Sequence, residues 1–264
     1  MKITVLMENT KREECFCEEH GLSLYIETSR EKILFDSGQS GNFTENALKC
    51  GVDLKNVDIA VLSHGHYDHS GGFMKFLGIN DKAVIYINKN AFGRHLGKEN
   101  NFIGADPALK ESGRVIITDD EYRIRDGLCL YTCNDKEQIY PSEGRGLYVE
   151  ENGQIMPDTF RHEQYLLIEE EGKKYLISGC SHKGILNIVS WFRPDHLIGG
   201  FHFKDVDMDE AGKAKLKEYA LKLLEYPTMY YTGHCTGTEQ YDYLKNIMQD
   251  RIEYMYTGRC LEIS

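Results

Sequence analysis

The stretch Ser63-His64-Gly65-His66-Tyr67-Asp68-His69-Ser70-Gly71-Gly72 decides how this chain is read. It continues an apolar run, and Ile59 to Ser63 reads as a buried strand. Three imidazoles and one carboxylate then fall at positions 64, 66, 68 and 69. Neutral imidazole is a borderline ligand and carboxylate a hard one, a mixture suited to zinc, iron or manganese. His64 and His66 alternate as side chains do on leaving a strand end, so both can face one ion. A turn at Tyr67 then swings Asp68 and His69 toward a second, and the neighbouring glycines let the backbone approach closely. A scatter of surface histidines would have neither this spacing nor the strand before it.

Outward from this segment, short β-like runs alternate with helical patterns. The N-terminal run Met1 to Leu6 reads as a strand. Leu22 to Glu27 and Lys32 to Asp36 predict a hairpin with Ser29-Arg30 at the turn, and Tyr165 to Glu169 and Lys174 to Ser178 predict another around Glu171-Gly172. Thr44 to Cys50 is expected as a short helix stopped by Gly51, and Ala83 to Ile87 as a buried strand. The clearest helix is Asp209 to Tyr226, with Leu216, Tyr219, Ala220, Leu223 and Leu224 on one face and Pro227 as terminator. Ile185, Ile188, Val189 and Phe192 repeat that spacing before Pro194, and both stripes read as core. His95 to Gly113 and Thr132 to Phe160 are polar and irregular, and are expected to be loop insertions covering a site. With no repeat or low-complexity tract, a single domain over residues 1–264 is expected.

The 264 residues are 41% hydrophobic, enough for a sizeable core. A formal net charge of −11 repels phosphate backbones and anionic headgroups, so neither nucleic acid nor a membrane surface is an expected partner. A small-molecule substrate is expected, and a metal ion's own charge can draw in an anionic one. The N-terminal run lacks the pattern of a signal peptide, and no run of about 18 apolar residues occurs. A cytoplasmic protein with reduced thiols is therefore expected, its eight cysteines being dispersed. Cys15 and Cys17 form a CxC pair with no second pair at zinc-knuckle spacing, and read as free thiols in a loop.

The segment HGHYDH at 64–69 resembles the HxHxDH signature of the metallo-β-lactamase superfamily. Phe35-Asp36-Ser37-Gly38 resembles its early strand-end aspartate motif, and Tyr231-Thr232-Gly233-His234-Cys235-Thr236-Gly237 its late strand-end histidine motif. More narrowly, Glu19-His20-Gly21-Leu22-Ser23, Gly179-Cys180-Ser181-His182-Lys183-Gly184-Ile185, Gly199-Gly200-Phe201-His202 and His234-Cys235-Thr236-Gly237 resemble one branch. Its members are the dihydropterin-methyl-ribofuranosylaminobenzene-phosphate synthase-like metallohydrolases. The resemblance implies a four-layer αββα sandwich, an α/β fold of two mixed sheets flanked by helices, with metals at one edge. It also implies that His64 and His66 bind a first metal, Asp68 and His69 a second, and that His234 completes the second site. His162 occupies a place suited to the first metal's last ligand, although the family's His-Thr-Pro-Gly-His wording is absent and a surface histidine is the alternative. Cys180 stands where the family carries a bridging aspartate, either as a thiolate ligand or as a small buried residue. His182 either supplies the missing ligand or acts on substrate. His202 is read as lining the pocket, with His20 and His95 as weaker candidates and His196 as surface. Tyr140, Arg145 and Tyr148 are loop residues that could contact a ligand, with plain surface positions as the commoner alternative.

The function this implies is a hydrolase with two divalent ions, zinc first and iron or manganese as alternatives, activating water against a small-molecule ester, lactone or phosphoester. Asp68 would orient the water, and His182 or His202 would protonate the leaving group. One alternative is a pterin-type group-transfer synthase, with a phosphate leaving group held by the metals. Another is a mononuclear-iron oxidoreductase, although the redox members with a flavodoxin partner carry glutamate where His66 stands. A non-catalytic protein keeping its metals for structure is a further one.

Overall fold

The computed structural model describes residues 1–142 and 146–263. Two seven-stranded sheets face each other. The first runs in the order Cys260–Glu262, Lys2–Met7, Ser23–Glu27, Lys32–Phe35, Ile59–Val61, Val84–Asn88 and Val115–Thr118. The second runs Ile252–Tyr254, Met229–Thr232, His196–Ile198, Lys173–Ile177, Tyr165–Glu170, Leu128–Tyr131 and Glu121–Arg125. Both are mixed: the hairpins pair antiparallel, while strands joined through helices pair in parallel.

Alternation along each strand builds the layers, because successive side chains point to opposite faces. Ile33 and Phe35 pack into the space between the sheets with Ile177, Ile198 and Tyr231. Leu34, between them in sequence, faces outward with Phe43, Ala47, Phe73 and Phe76 of the helices on that side. On the second sheet Leu176 and Tyr230 face outward, against Ile185, Ile188, Leu216, Ala220 and Leu223. The result is the expected α/β/β/α order of layers. Each fully buried apolar side chain contributes about 1.5–3 kcal/mol relative to exposure. Among the described residues no helix is long and apolar enough to cross a membrane.

Both predicted hairpins are present, paired Glu27↔Lys32 and Glu170↔Lys173. In the second, Glu171 and Gly172 both take positive φ, the backbone that suits the right-handed twist of a two-residue turn. The three expected helices span Phe43–Lys49, Ile185–Phe192 and Glu210–Leu224, the Asp209 side chain capping the last by accepting from Gly212 N, and Phe73–Leu77 and Thr238–Met248 are further helices.

The two stretches read as irregular hold regular structure as well. Arg94–Leu96, Tyr148–Glu151 and Gln154–Pro157 form a small third sheet, and Ala108–Glu111 is a helical turn. Gln154–Pro157 is exposed throughout, so it carries no alternating apolar signal. It pairs as a hairpin with the neighbouring Tyr148–Glu151, which in turn pairs with Arg94–Leu96 from much earlier in the chain.

Candidate metal centre

Strands that run in parallel pairs end at one edge of the sandwich, and the side chains just past their C-terminal ends meet there. That edge is where open α/β sheets present their ligand sites. Asp36 follows Lys32–Phe35, His64 follows Ile59–Val61, and Cys180 and His182 follow Lys173–Ile177. His202 follows His196–Ile198, and His234 follows Met229–Thr232. Asp36, Ser181, His202 and His234 all hold left-handed backbone. Such conformations cost about 1–3 kcal/mol each and persist where surrounding contacts enforce them. Gly65 is required for a different reason: a Cβ there would lie 2.1 Å from Ala91 O.

Hydrogen bonds on the outer side fix where the imidazole protons sit. Buried Asp36 accepts from Ser63 N at 2.7 Å, Ser63 Oγ at 2.7 Å and His69 Nδ1 at 2.6 Å. Since the Ser63 hydroxyl proton goes to Asp36, His64 Nδ1 donates to Ser63 Oγ at 2.8 Å. His234 Nδ1 likewise donates to Asn9 Oδ1 at 2.7 Å. In the neutral rings Nε2 of His64, His69 and His234 is left as a bare lone pair aimed inward, the orientation outer partners impose on metal-binding histidines. His69 Nε2 then lies 3.2 Å from His234 Nε2 and 3.2 Å from Cys180 Sγ, while His64 Nε2 lies 3.3 Å from His182 Nε2. Lone pairs this close repel unless a proton or a metal cation lies among them. His66 Nε2 is buried and has no hydrogen-bond partner among the described residues. The donor set therefore fits divalent metal ions.

The donors fall into overlapping groups: His64, His66 and His182; His64, His69 and Cys180; Cys180, His234 and Cys235; and His20, Asp68 and His234. Asp68 Oδ2 lies 3.2 Å from His20 Nε2, 3.4 Å from His234 Nε2 and 3.6 Å from His69 Nε2. Burial opposes its charge, but His69 and the contacts with His20 and His234 hold it well below the usual carboxylate range. Burial likewise works against a charged His69, and the Asp68 and Asp36 carboxylates overcome it, raising the ring to about 9. His234 is pushed down to about 3, chiefly by burial. In the metal-free chain a proton on His69 thus occupies the gap facing His234.

A metal taking His69 must displace that proton. On this ring's account its apparent affinity should therefore rise with pH up to about 9, and at pH 7 binding should release about one proton from this ring. Calorimetric titration of zinc in buffers of different ionisation enthalpy measures this. Heats independent of the buffer would refute it.

The structure thus brings together His64, His66, Asp68, His69, Cys180, His182 and His234. It takes His162 elsewhere: its Nδ1 accepts from Gly65 N at 2.9 Å and its Nε2 lies 3.2 Å from Asp158. His182 stands beside His64 instead, stacked on Phe160 at 4.3 Å. His202 lies 4.5 Å from His182, ring to ring, and lines the same cavity of about 290 Å³ as His20, Asp68 and His234. His95 faces away from this cavity toward Asp158. His196 corrects the surface reading, being half-buried and stacked on Tyr175. Tyr140 packs against the outer helices and Tyr148 pairs with Leu96, both outside the cavity wall, and Arg145 lies outside the described residues. Cys15 and Cys17 join none of the metal-donor groups among the described residues. Asn9, Cys235 and Asp158 were not singled out from the sequence. Only Cys235 carried a local signal, standing beside His234 in the late motif.

The chain belongs to the metallo-beta-lactamase superfamily, whose family profile matches residues 18–234. Within it, the chain is 30% identical to the 7,8-dihydropterin-6-methyl-4-(beta-D-ribofuranosyl)-aminobenzene-5'-phosphate synthase of Methanocaldococcus jannaschii, over 94% of this chain and 91% of that protein. An uncharacterized protein of the same organism is 28% identical, over 99% of this chain and 100% of its own length. Among solved structures, a metal-dependent hydrolase of the beta-lactamase superfamily superposes with a TM-score of 0.79 at 28% identity, covering 100% of this chain and 99% of that one. A diphosphatase of the PhnP family shares the fold, with a TM-score of 0.55 at 14% identity, covering 100% and 98%.

Proposed function

We propose that the protein is a metal-dependent hydrolase of a small anionic phosphoester. The observation that carries this is the convergence of inward-facing imidazole nitrogens, Cys180 and Asp68 on the floor of a cavity rimmed by lysines. His64, His66 and His182 would hold one divalent ion, and Asp68, His69 and His234 a second, with Cys180 between them. Zinc suits this set of imidazole, thiolate and carboxylate donors. Divalent ions bound here supply Lewis acidity and make hydroxide available at neutral pH.

The chain's own groups do the rest. His20 Nε2 donates to Asp68 Oδ2 and fixes an ionised carboxylate where it can orient an attacking water. With His182 assigned to the ion, His202 is the ring left facing the cavity to protonate a leaving group. Lys98 and Lys204 stand at the rim, countered by Asp205, which pairs with Lys98 at 3.0 Å. An adjoining cavity of about 280 Å³ shares Lys98, His202 and Asp205 and adds Lys215, room for an anionic substrate's distal part. A second reading, group transfer with departure of a phosphate, is favoured by the 30% identity to a protein named as a synthase.

The test is metal analysis joined to a substrate panel of phosphomonoesters, phosphodiesters, a lactone, a thioester and a pterin diphosphate. Phosphoester hydrolysis is expected, and His66→Ala should lose bound metal and turnover together. Unchanged metal content in that variant refutes the site. Turnover of the pterin diphosphate alone, with an acceptor amine, establishes the transferase instead.

A further inference from the structure

The first strand, Lys2–Met7, leads straight into Glu8 and Asn9, which both bond to His234. Glu8 is fully buried and accepts from the backbone N–H of His234. It also accepts from Thr10 N at 2.6 Å, Thr10 Oγ1 at 2.6 Å and Tyr254 OH at 3.0 Å. That grip places the Asn9 amide beside two imidazoles, His20 and His234, whose ring centres are 5.0 Å apart. Asn9 Oδ1 lies 2.7 Å from His234 Nδ1 and 3.3 Å from Gly21 N, while Asn9 Nδ2 lies 3.2 Å from His20 Nδ1.

Which end of the amide faces which ring follows from Gly21. A backbone N–H only donates, so the atom it meets must be the carbonyl oxygen. Gly21 is held against the Asp68 backbone, where a Cβ would lie 2.5 Å from Asp68 O and where Leu22 N donates to that oxygen at 3.3 Å. The proton positions then follow by counting. A carbonyl oxygen has two lone pairs, and this one accepts from Gly21 N and from His234 Nδ1. The amide nitrogen therefore donates to His20 Nδ1. A neutral imidazole carries one N–H. His234 has its proton on Nδ1 and a bare Nε2. His20 has a bare Nδ1 and its proton on Nε2, 3.2 Å from Asp68 Oδ2.

We propose that Asn9 is a positioning residue that sets His20 and His234 in opposite tautomers, opening His234 to a metal ion and closing His20 to it. The distinction matters because His20, Asp68 and His234 bring donor atoms within 4.8 Å of one another, and by spacing alone all three could ligate. Asn9 removes His20 from that set. With its Nε2 protonated, His20 serves Asp68 as a hydrogen-bond donor and takes up no coordination position, and an open position is what separates a catalytic site from a structural one. One amide thus orients a ligand ring and a carboxylate's partner together, the work outer residues do at metal sites. The consequence for the ion rests on the proposed metal centre; the proton positions do not.

Imidazole nitrogen-15 spectra at about pH 8, above the ordinary histidine range, read the protons directly. In the wild-type protein His20 should carry its proton on Nε2 and His234 on Nδ1, with or without zinc. Asn9→Asp puts an acceptor where the donor stood, so a proton should appear on His20 Nδ1 while His234 is unchanged. A residue that merely packs would leave both rings as they were. Asn9→Ala should weaken zinc binding by about 10–100-fold, and Asn9→Asp, which keeps the acceptor for His234, should recover most of it. An Nδ1 proton on wild-type His20, or a His20 spectrum identical in wild type and Asn9→Asp, overturns the inference whether or not the protein hydrolyses phosphoesters. Undiminished zinc affinity in Asn9→Ala overturns the role at His234. Absence of hydrolysis with the protons placed as above overturns the proposed function alone. Should Asn9→Asp not fold, the wild-type spectrum still gives the answer.

Discussion

His182→Ala is expected to weaken metal binding at the principal centre by more than about 100-fold and to abolish turnover. Partners that only orient a metal-binding ring are worth about 10–100-fold when removed, so loss of a ring that itself faces the ion must exceed that range. His182 Nε2 faces His64 Nε2 at 3.3 Å, while Phe160 covers the flat of its ring. His162 and His182 were rival candidates for the same role, and the two variants separate them. His162→Ala removes the acceptor of Gly65 N and is expected to leave the ions at His64 and His69 bound, with weakened affinity. Zinc competition with a chromophoric chelator gives both numbers. Equal affinity in wild type and His182→Ala would remove this residue from the ligand set.

Glu163→Ala should lower the melting temperature by about 10 °C, although Glu163 faces neither cavity. Its carboxylate is fully buried and accepts from His182 N at 2.7 Å, Lys183 N at 3.1 Å and Tyr165 OH at 2.7 Å. These bonds hold the turn in which Ser181 takes positive φ and from which His182 projects. Lys183 is also buried, its ammonium donating to Thr132 O at 2.6 Å and Glu163 O at 3.2 Å. Burial lowers this lysine to about 8, and the Glu163 charge is first among the groups opposing that fall. Alanine would strand three donors and remove the negative charge that offsets the buried ammonium across the turn. Each buried donor left unsatisfied costs about 1–3 kcal/mol. In a chain of this size each kcal/mol moves the midpoint by about 2–4 °C. Glu163→Gln keeps the shape and one acceptor oxygen, and should lose less. Calorimetry on metal-free protein isolates the effect from ligand binding. A shift under about 2 °C for the alanine variant would mean that the turn is held by other contacts.

Much of the site was legible because its residues are close in sequence or follow strands with strong signals. HGHYDH needs no tertiary information to be read as a ligand run, since alternation at a strand end dictates which way His64 and His66 face. The hairpins were legible for the same reason, their period-2 patterns flanking short turns. The residues that fix the imidazole protons were a different matter. Asp36 was marked by its motif, but Asn9 lies 225 residues from the His234 it bonds and has no pattern around it. Glu163 sits between two motifs and resembles any polar residue before a strand. The third sheet escaped because Gln154–Pro157 has no buried face, so its strand character comes from a partner alone.

What the sequence determined by itself is the hairpins, the main helices and the ligand run at 64–69, because these rest on local rules of alternation and ligand type. The pair of facing sheets and the roles of the distant donors came from the resemblance to the superfamily. The tertiary structure decided which donors share a neighbourhood. His182 rather than His162 stands beside His64, and His162 turns to Asp158 and His95. The reason is geometric. A side chain's direction at a strand end depends on the φ of one or two residues, here the left-handed backbone at Ser181 and at Phe160. Those angles are set by long-range contacts such as the grip of Glu163 on the turn at His182 and the bond from Phe160 N to Asp158, which no pattern of residue types records.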